Sequence, residues 1–225
     1  MKLIKASAEI LDRVNGDEIL KHIEKIGRTC YKSEDKITTD SSLKFVADLI
    51  KRGHEAMIEH HNISVKFICD RGVSHEIVRH RIASYAQEST RYVNYSKAKF
   101  GKEITFIIPN WFEYGISTYE DAIKNRQWEF IKPTEKEWIY SMEIAEQTYL
   151  YLMDNGWTAQ EARSVLPNSL KTEIVVTMNL REWRHFFKLR TAKVAHPQMG
   201  EVAIMLFNEL KGKLPVIFDD IEVSK

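Results

Sequence analysis

The chain has 225 residues, 44% of them hydrophobic and 11% aromatic, enough apolar material for one sizeable domain with a substantial core and too much for a disordered polymer. A formal net charge of +1 disfavours a general nucleic-acid binder, which is more often basic throughout, and no apolar run reaches the length of a membrane span. Met1-Lys2-Leu3-Ile4-Lys5 has no secretory core and there are two cysteines, Cys30 and Cys69, so a cytoplasmic protein with reduced thiols is expected.

In chain order, Lys2 to Leu11 reads as an opening strand. Asp17 to about Arg28 has Ile19, Leu20, Ile23 and Ile26 near helical spacing. Ser41 or Ser42 can cap a second helix, whose Leu43, Val46, Leu49 and Ile50 form an apolar stripe ended by Gly53. Ile63, Val65, Phe67 and Cys69 then alternate with polar residues, as in a strand with one buried face. Ile104 to Ile108 is a short strand stopped by Pro109, and Thr118 to about Ile131 is helical. A helix from Thr134 to about Asp154 carries a capping-box pattern in Thr134 and Glu137, and Thr158 with Glu161 repeats that pattern for a helix closed by Pro167. Lys171 to Met178 alternates again, with Thr172, Ile174, Val176 and Met178 on one face. Asn179 and Glu182 suit the start of a helix to about Arg190, with Trp183, Phe186, Phe187 and Leu189 toward the core. A last helix from Pro197 to Gly212 would bury Met199, Val202, Met205, Leu206 and Leu210. No repeat or linker divides the chain, and the mixture lacks regular βαβ alternation, so a single α+β domain over 1–225 is expected.

Charge is unevenly spread. Residues 71–97 carry Arg71, Arg79, Arg81, Arg91 and Lys97 against Glu76 and Glu88. Residues 163–193 carry Arg163, Lys171, Arg181, Arg184, Lys188, Arg190 and Lys193 against Glu173 and Glu182, leaving the remainder acidic. Focused anion sites fit that pattern better than a diffuse basic surface. The densest stretch is Arg79-His80-Arg81 followed by Ser84, Gln87, Ser89, Arg91 and Tyr92. Arginine presents paired donors suited to phosphate, and histidine exchanges a proton near neutrality. The three cations could simply close a helix from about Gly72, opposing its dipole. That account leaves the polar residues beyond them unexplained.

Other chemistries fare worse. The run from Gly53 to His61 is rich in histidine but lacks the His-Glu-x-x-His spacing, and with Cys69 on an apolar strand face no tetrahedral metal set emerges, so no metal site is expected. Neither cysteine has the neighbours of a nucleophile, and there is no G-x-G-x-x-G and no P-loop. A large cofactor would be held by side chains. On a helix from Leu180, Arg181 and His185 share a face, as do Arg184 and Lys188, and Arg190 lies at its end.

Arg79-His80-Arg81, seven residues, Ser89 and then Arg91-Tyr92 together resemble the signature of the flavin-dependent thymidylate synthases. Gly53-His54-Glu55 with Glu59-His60, the segment Arg163 to Pro167, Asn179-Leu180-Arg181, and Leu189-Arg190 with His196 are similar to further landmarks of that family, in order over roughly residues 15–210. The resemblance implies reductive methylation of dUMP to dTMP, with methylenetetrahydrofolate as carbon donor and an FAD reduced by NADPH as hydride donor, without an enzymic cysteine nucleophile. It implies a central, mostly antiparallel sheet flanked by helices, and a homotetramer with shared active sites. It assigns Arg79, His80, Arg81, Gln87, Asn179, Leu180, Arg181 and His185 to FAD, with Ala56 and Glu59 at the same site. Glu76, Arg79, Gln87, Glu88, Ser89, Thr90, Arg91, Arg163 and Arg190 are assigned to dUMP, Arg190 activating the uracil. His54 and Tyr92 fall to the folate or nicotinamide side. Glu76 stands where the family often has glutamine, Ala56 replaces a hydroxyl residue, Gln87 a glutamate and His185 an asparagine. The alternative is a nucleotide- or flavin-binding relative without synthase activity.

Overall fold

The computed structural model describes residues 1–98 and 101–223. In chain order the elements are β1 (Lys2–Ile4), β2 (Ser7–Ile10), α1 (Gly16–Tyr31), α2 (Ser41–Lys51), β3 (Asn62–Asp70), α3 (Arg71–Ile77), β4 (Ser84–Gln87), β5 (Thr105–Ile107), α4 (Ile116–Asn125), α5 (Pro133–Asp154), α6 (Ala159–Ala162), β6 (Lys171–Asn179), α7 (Leu180–Arg190), α8 (Pro197–Lys213) and α9 (Pro215–Phe218), with short 3-10 turns between some of them. Helices and strands are mixed as expected. β2, β3, β6 and β4 lie in that order in an antiparallel sheet. β1 and β5 form a separate parallel pair, Leu3 opposite Phe106.

The residues gather into two compact units. The first comprises Met1–Ala6, Ile68–Glu76 and Gln87–Ile174, and the second Ser7–Phe67, Ile77–Ala86 and Val175–Lys225. The core of the first is built on Leu3, Ile104, Phe106 and Ile108, packed with Tyr119 of α4 and Ile139, Met142 and Tyr149 of α5. That of the second joins Ile63, Val65 and Phe67 of β3 with Val176 and Met178 of β6 and the aromatic face of α7. Trp183 meets Phe186 at 5.4 Å between ring centres, and Phe187 meets Phe207 at 5.3 Å and Phe218 at 5.5 Å. The buried Trp183 indole N–H donates to the Ile63 carbonyl at 3.1 Å, so the large ring enters the core without an orphaned donor.

Both long alternating strands form as expected, with Ile63, Val65, Phe67 and Cys69, and likewise Thr172, Ile174, Val176 and Met178, fully inside. The opening segment does not form one strand, because the chain breaks at Lys5-Ala6 and its halves join different sheets. Asp40, not a serine side chain, occupies the cap position of α2. Ser41 instead donates its hydroxyl to the buried Glu24 carboxylate at 2.8 Å. Glu24 also receives Arg28 at 2.8 Å. Gly27 lets α1 approach α2 closely, since a Cβ there would lie 2.6 Å from the Phe45 ring. The box expected at Thr134 does not form, because Pro133 takes the first helical position and moves the cap to Lys132. The Thr158–Glu161 box does form. α4 stops at Asn125, where Arg126 turns left-handed, short of the expected Ile131. Leu43, Leu189 and Met205 face outward from helices expected to bury them.

Arg184 of α7 is 1% exposed, and its guanidinium bonds Glu55 at 2.9 Å, Asp220 at 2.6 and 2.7 Å, and the Ile217 carbonyl. This holds Asp220 below the usual carboxylate range. The stabilisation is therefore complete above the pKa of an unfolded aspartate, about 3.9, and is lost as pH falls through the lower folded value. Arg184→Met is expected to cost about 3 kcal/mol in urea denaturation, the low end for a broken buried pair, because the Asp220 side chain is 47% exposed. An unchanged midpoint would show that the pair is dispensable. Burial pushes the Cys69 thiol up to about 12, whereas Cys30 is exposed. One thiol should therefore react with a neutral-pH thiol reagent in the native protein and two after unfolding.

Candidate functional site

In the second unit the site begins where β6 runs into α7. Asn179 stays extended and its Oδ1 accepts the Glu182 backbone N–H at 2.8 Å, which fixes the first turn of the helix. Helical periodicity then places Arg181, His185 and Lys188 on the side away from Trp183 and Phe187. With Glu55, Glu59, Ile82, Asn179 and Glu182 they line an open cleft of about 540 Å³. Arg181 is held over it by Glu59 at 2.5 Å and more loosely by Glu55 at 4.0 Å.

The histidine of the basic motif lies within the protein. His80 is 4% exposed, with its ring 4.9 Å from that of Phe186 and 5.7 Å from that of His185. Arg190 Nε donates to His80 Nε2 at 3.1 Å, and His80 Nδ1 lies 3.1 Å from Glu182 Oε1. A guanidinium nitrogen can only donate, so Nε2 is the acceptor and Nδ1 carries the proton, which it gives to the carboxylate. Burial pushes this histidine below its ordinary pKa. Glu182 opposes the shift, while Arg190 and His185 add to it. The imidazole is thus neutral at neutral pH. The Tyr85 hydroxyl closes the segment back on itself by donating to the carbonyls of Ile77 and His80.

In the first unit, β3 ends at Asp70, whose Oδ1 accepts the Val73 N–H at 2.8 Å and turns the chain into α3. Arg71 there lines a cleft of about 490 Å³ together with His75, Thr90, Gln160, Arg163 and Ser164. Arg163 donates to the buried Thr90 hydroxyl at 3.2 Å. Arg71 Nη1 is buried with no hydrogen-bond partner among the described residues. A guanidinium nitrogen withdrawn from water without an acceptor is costly, and an anion would complete it. Ser89 accepts the Arg91 N–H at 3.3 Å, and Arg91 lies over the Tyr92 ring at 5.6 Å.

The expected site residues fall in different surroundings. The His80 ring and the Leu180 side chain, assigned to FAD, are inside the protein and do not line the second unit's cleft. The ring is fixed by its two polar bonds, and the leucine is the first core residue of α7. Arg79 and Arg81 on either side of His80 are exposed, as are His54 and Ala56, while Glu59 reaches the cleft and anchors Arg181. Gln87 belongs to the first unit, and its amide donates to Ser74 at 2.9 Å and Thr172 at 3.2 Å. Glu88 accepts from Lys171 and Tyr95, both at 3.0 Å, and so ties that unit together. Glu76 is half-buried and Tyr92 exposed. Arg71 and Glu182 went unassigned in the sequence: Arg71 enters there only in the charge of its segment, and Glu182 only in that of its own segment and as part of a helix start.

Among the described residues, no helix is long and apolar enough to cross a membrane. A family model described as Thymidylate synthase complementing protein matches residues 10–216. The flavin-dependent thymidylate synthase of Geobacter sulfurreducens is 33% identical over 86% of this chain and 78% of its own length. That of Mycobacterium tuberculosis is 32% identical over 90% of this chain and 79% of its own. The crystal structure of a UMP/dUMP methylase PolB from Streptomyces cacaoi, bound with 5-Br dUMP, aligns with a TM-score of 0.73 at 23% identity, covering 97% of this chain and 96% of that one. That likeness speaks to the fold, whereas the family match and the curated relatives speak to descent. By these matches over most of its length, the chain belongs to the flavin-dependent thymidylate synthase family.

Proposed function

We propose that this protein converts dUMP to dTMP, taking a methylene group from methylenetetrahydrofolate and a hydride from an FAD reduced by NADPH. The observation that carries the reading is the cleft of the first unit, where Arg71 has a buried nitrogen lacking an acceptor beside Arg163, Thr90 and His75. A phosphate monoester supplies the acceptors such a pair of guanidinium groups needs. Ser89 and Arg91 in the adjoining turn extend the donors toward the rest of a nucleotide. The homologous enzymes named above supply the reaction class.

The second unit has the donor chemistry a flavin dinucleotide needs. Asn179, Arg181, His185 and Lys188 face its cleft, and Arg79 and Arg81 of the same unit are exposed, so a diphosphate and the polar edge of a ring system have partners. An FAD held by these residues would supply the hydride that reduces the transferred methylene to a methyl group. Arg190 would stabilise negative charge on the pyrimidine as its C5 becomes nucleophilic, a preorganised electrostatic role. Its link to a neutral His80 keeps the guanidinium in one orientation. Neither cysteine is placed to attack, since Cys69 is a protonated core thiol and Cys30 lies outside both clefts. Tyr140, Ile144 and Tyr151 expose an apolar stripe on α5, in keeping with a homotetramer. One family model running through both units supports their acting as a single domain.

Purified protein supplied with FAD is expected to be yellow and to form dTMP only when dUMP, methylenetetrahydrofolate and NADPH are all present. A colourless protein that takes up no flavin would sink the proposal, and flavin uptake without dTMP would favour a binding protein that lacks the synthase reaction. Arg190→Ala should keep its flavin and lose most turnover. Arg71→Ala and Arg163→Ala should each raise the KM for dUMP roughly ten- to a hundredfold, as expected for a lost charge-assisted hydrogen bond, with flavin content unchanged. An unaltered KM in both would move the phosphate elsewhere.

A further inference from the structure

We infer that Glu182 is a positioning residue for the reaction: through the His80 ring it fixes the orientation of the Arg190 guanidinium. The inference rests on the reading that Arg190 acts on the uracil. It goes beyond that reading in giving a role to a carboxylate and an imidazole which the reaction itself does not require.

The three side chains form a line within the second unit, Glu182 Oε1 to His80 Nδ1 at 3.1 Å and His80 Nε2 to Arg190 Nε at 3.1 Å. Glu182 is 8% exposed, so its charge is not there for solubility. It is not in use as a helix cap either. It occupies the third position of α7, from which a glutamate can reach back to the cap residue, yet that turn is closed by Asn179 Oδ1 while the Glu182 carboxylate goes to the histidine. An uncharged acceptor would serve packing equally well. An ionised carboxylate has no donor to offer, so unlike an amide, which can turn its NH2 toward the ring, it can only hold the proton on Nδ1.

That proton position decides the state of Arg190. With Nδ1–H given to Glu182, Nε2 offers a lone pair and the arginine Nε–H has an acceptor. In the other tautomer Nε2 carries hydrogen, two donors face each other, and the guanidinium must turn away. The same holds for the protonated ring, with charge repulsion added. The groups facing the imidazole are Glu182, His185 and Arg190 of α7, the Phe186 ring, and the Tyr85 hydroxyl on its own carbonyl. Glu182 favours the charged ring, whereas burial, Arg190 and His185 disfavour it. Turnover should therefore have an acid limb below the ordinary histidine value of about 6.5. Removing the charge of Glu182 should shift that limb to lower pH.

The test compares Glu182→Met and Glu182→Gln with wild type and Arg190→Ala, scoring dTMP formation per bound flavin across pH. Glu182→Met, which has no acceptor, should lose at least tenfold in kcat with a smaller change in the KM for dUMP. Glu182→Gln keeps the shape and can accept from Nδ1, so it should lose less, with its acid limb displaced to lower pH. The inference is overturned if Glu182→Met turns over normally per flavin while Arg190→Ala is inactive. It is also overturned if flavin loss accounts for the whole defect, or if the acid limb of Glu182→Gln does not move. Near-normal turnover of Arg190→Ala would instead overturn the assignment of Arg190 itself.

Discussion

A guanidinium buried inside the second unit governs how that unit is built. Arg184 cannot be left unpaired without a penalty of several kcal/mol, so the chain must bring Glu55, Asp220 and the Ile217 carbonyl to it. Those partners come from the turn before β3 and from the end of the chain, and both are thereby fixed against α7. The exposed face of the same helix inherits this rigidity. Glu55 also lies near Arg181, one turn away on the cleft side, where Glu59 completes the hold. That outer pair adds little to stability, since the Arg181 side chain is 54% exposed. It does set where a positive charge is offered.

The two clefts differ in how far their charges are satisfied internally. In the first unit Arg71 retains a buried nitrogen with no partner among the described residues. Charge held in that way is disposed toward a ligand. The His80 ring in the second unit has both nitrogens engaged within the protein. The three residues of one short motif are thus divided in their surroundings. Arg79 and Arg81 are turned to solvent, and the histidine between them is built into the framework.

Elements with strict periodicity could be read directly from the residues. β3 and β6 alternate without a fault because one face of each is dry, and the aromatic stripe of α7 has a single way to be buried. Ends and short strands were harder to read. Lys2 to Leu11 looks continuous because it contains two strands in succession, and only their partners reveal the break. Proline at 133 overrode a capping pattern that was sound in itself. The basic motif stood out by composition, and Arg190 by the family resemblance. Arg71 and Glu182 did not, because what distinguishes them is an absent partner in one case and a distant partner in the other. Glu182 meets His80 across 102 residues of sequence, a separation that local pattern does not span.

The chain changes unit after residues 6, 67, 76, 86 and 174. No single peptide bond, if cut, would release either unit whole. The parallel partner of β5 is β1, and a buried arginine in α7 waits for Asp220, which follows α9. The second core therefore cannot close until α9 has been made, and the first needs segments as far apart as Met1–Ala6 and Gln87–Ile174. Pairings this remote in sequence make folding slow relative to a locally wired protein. Deleting β1 would take Leu3 from the first core, and deleting α9 would take Phe218 from the aromatic cluster of the second, so each core depends on a segment far along the chain from most of its partners.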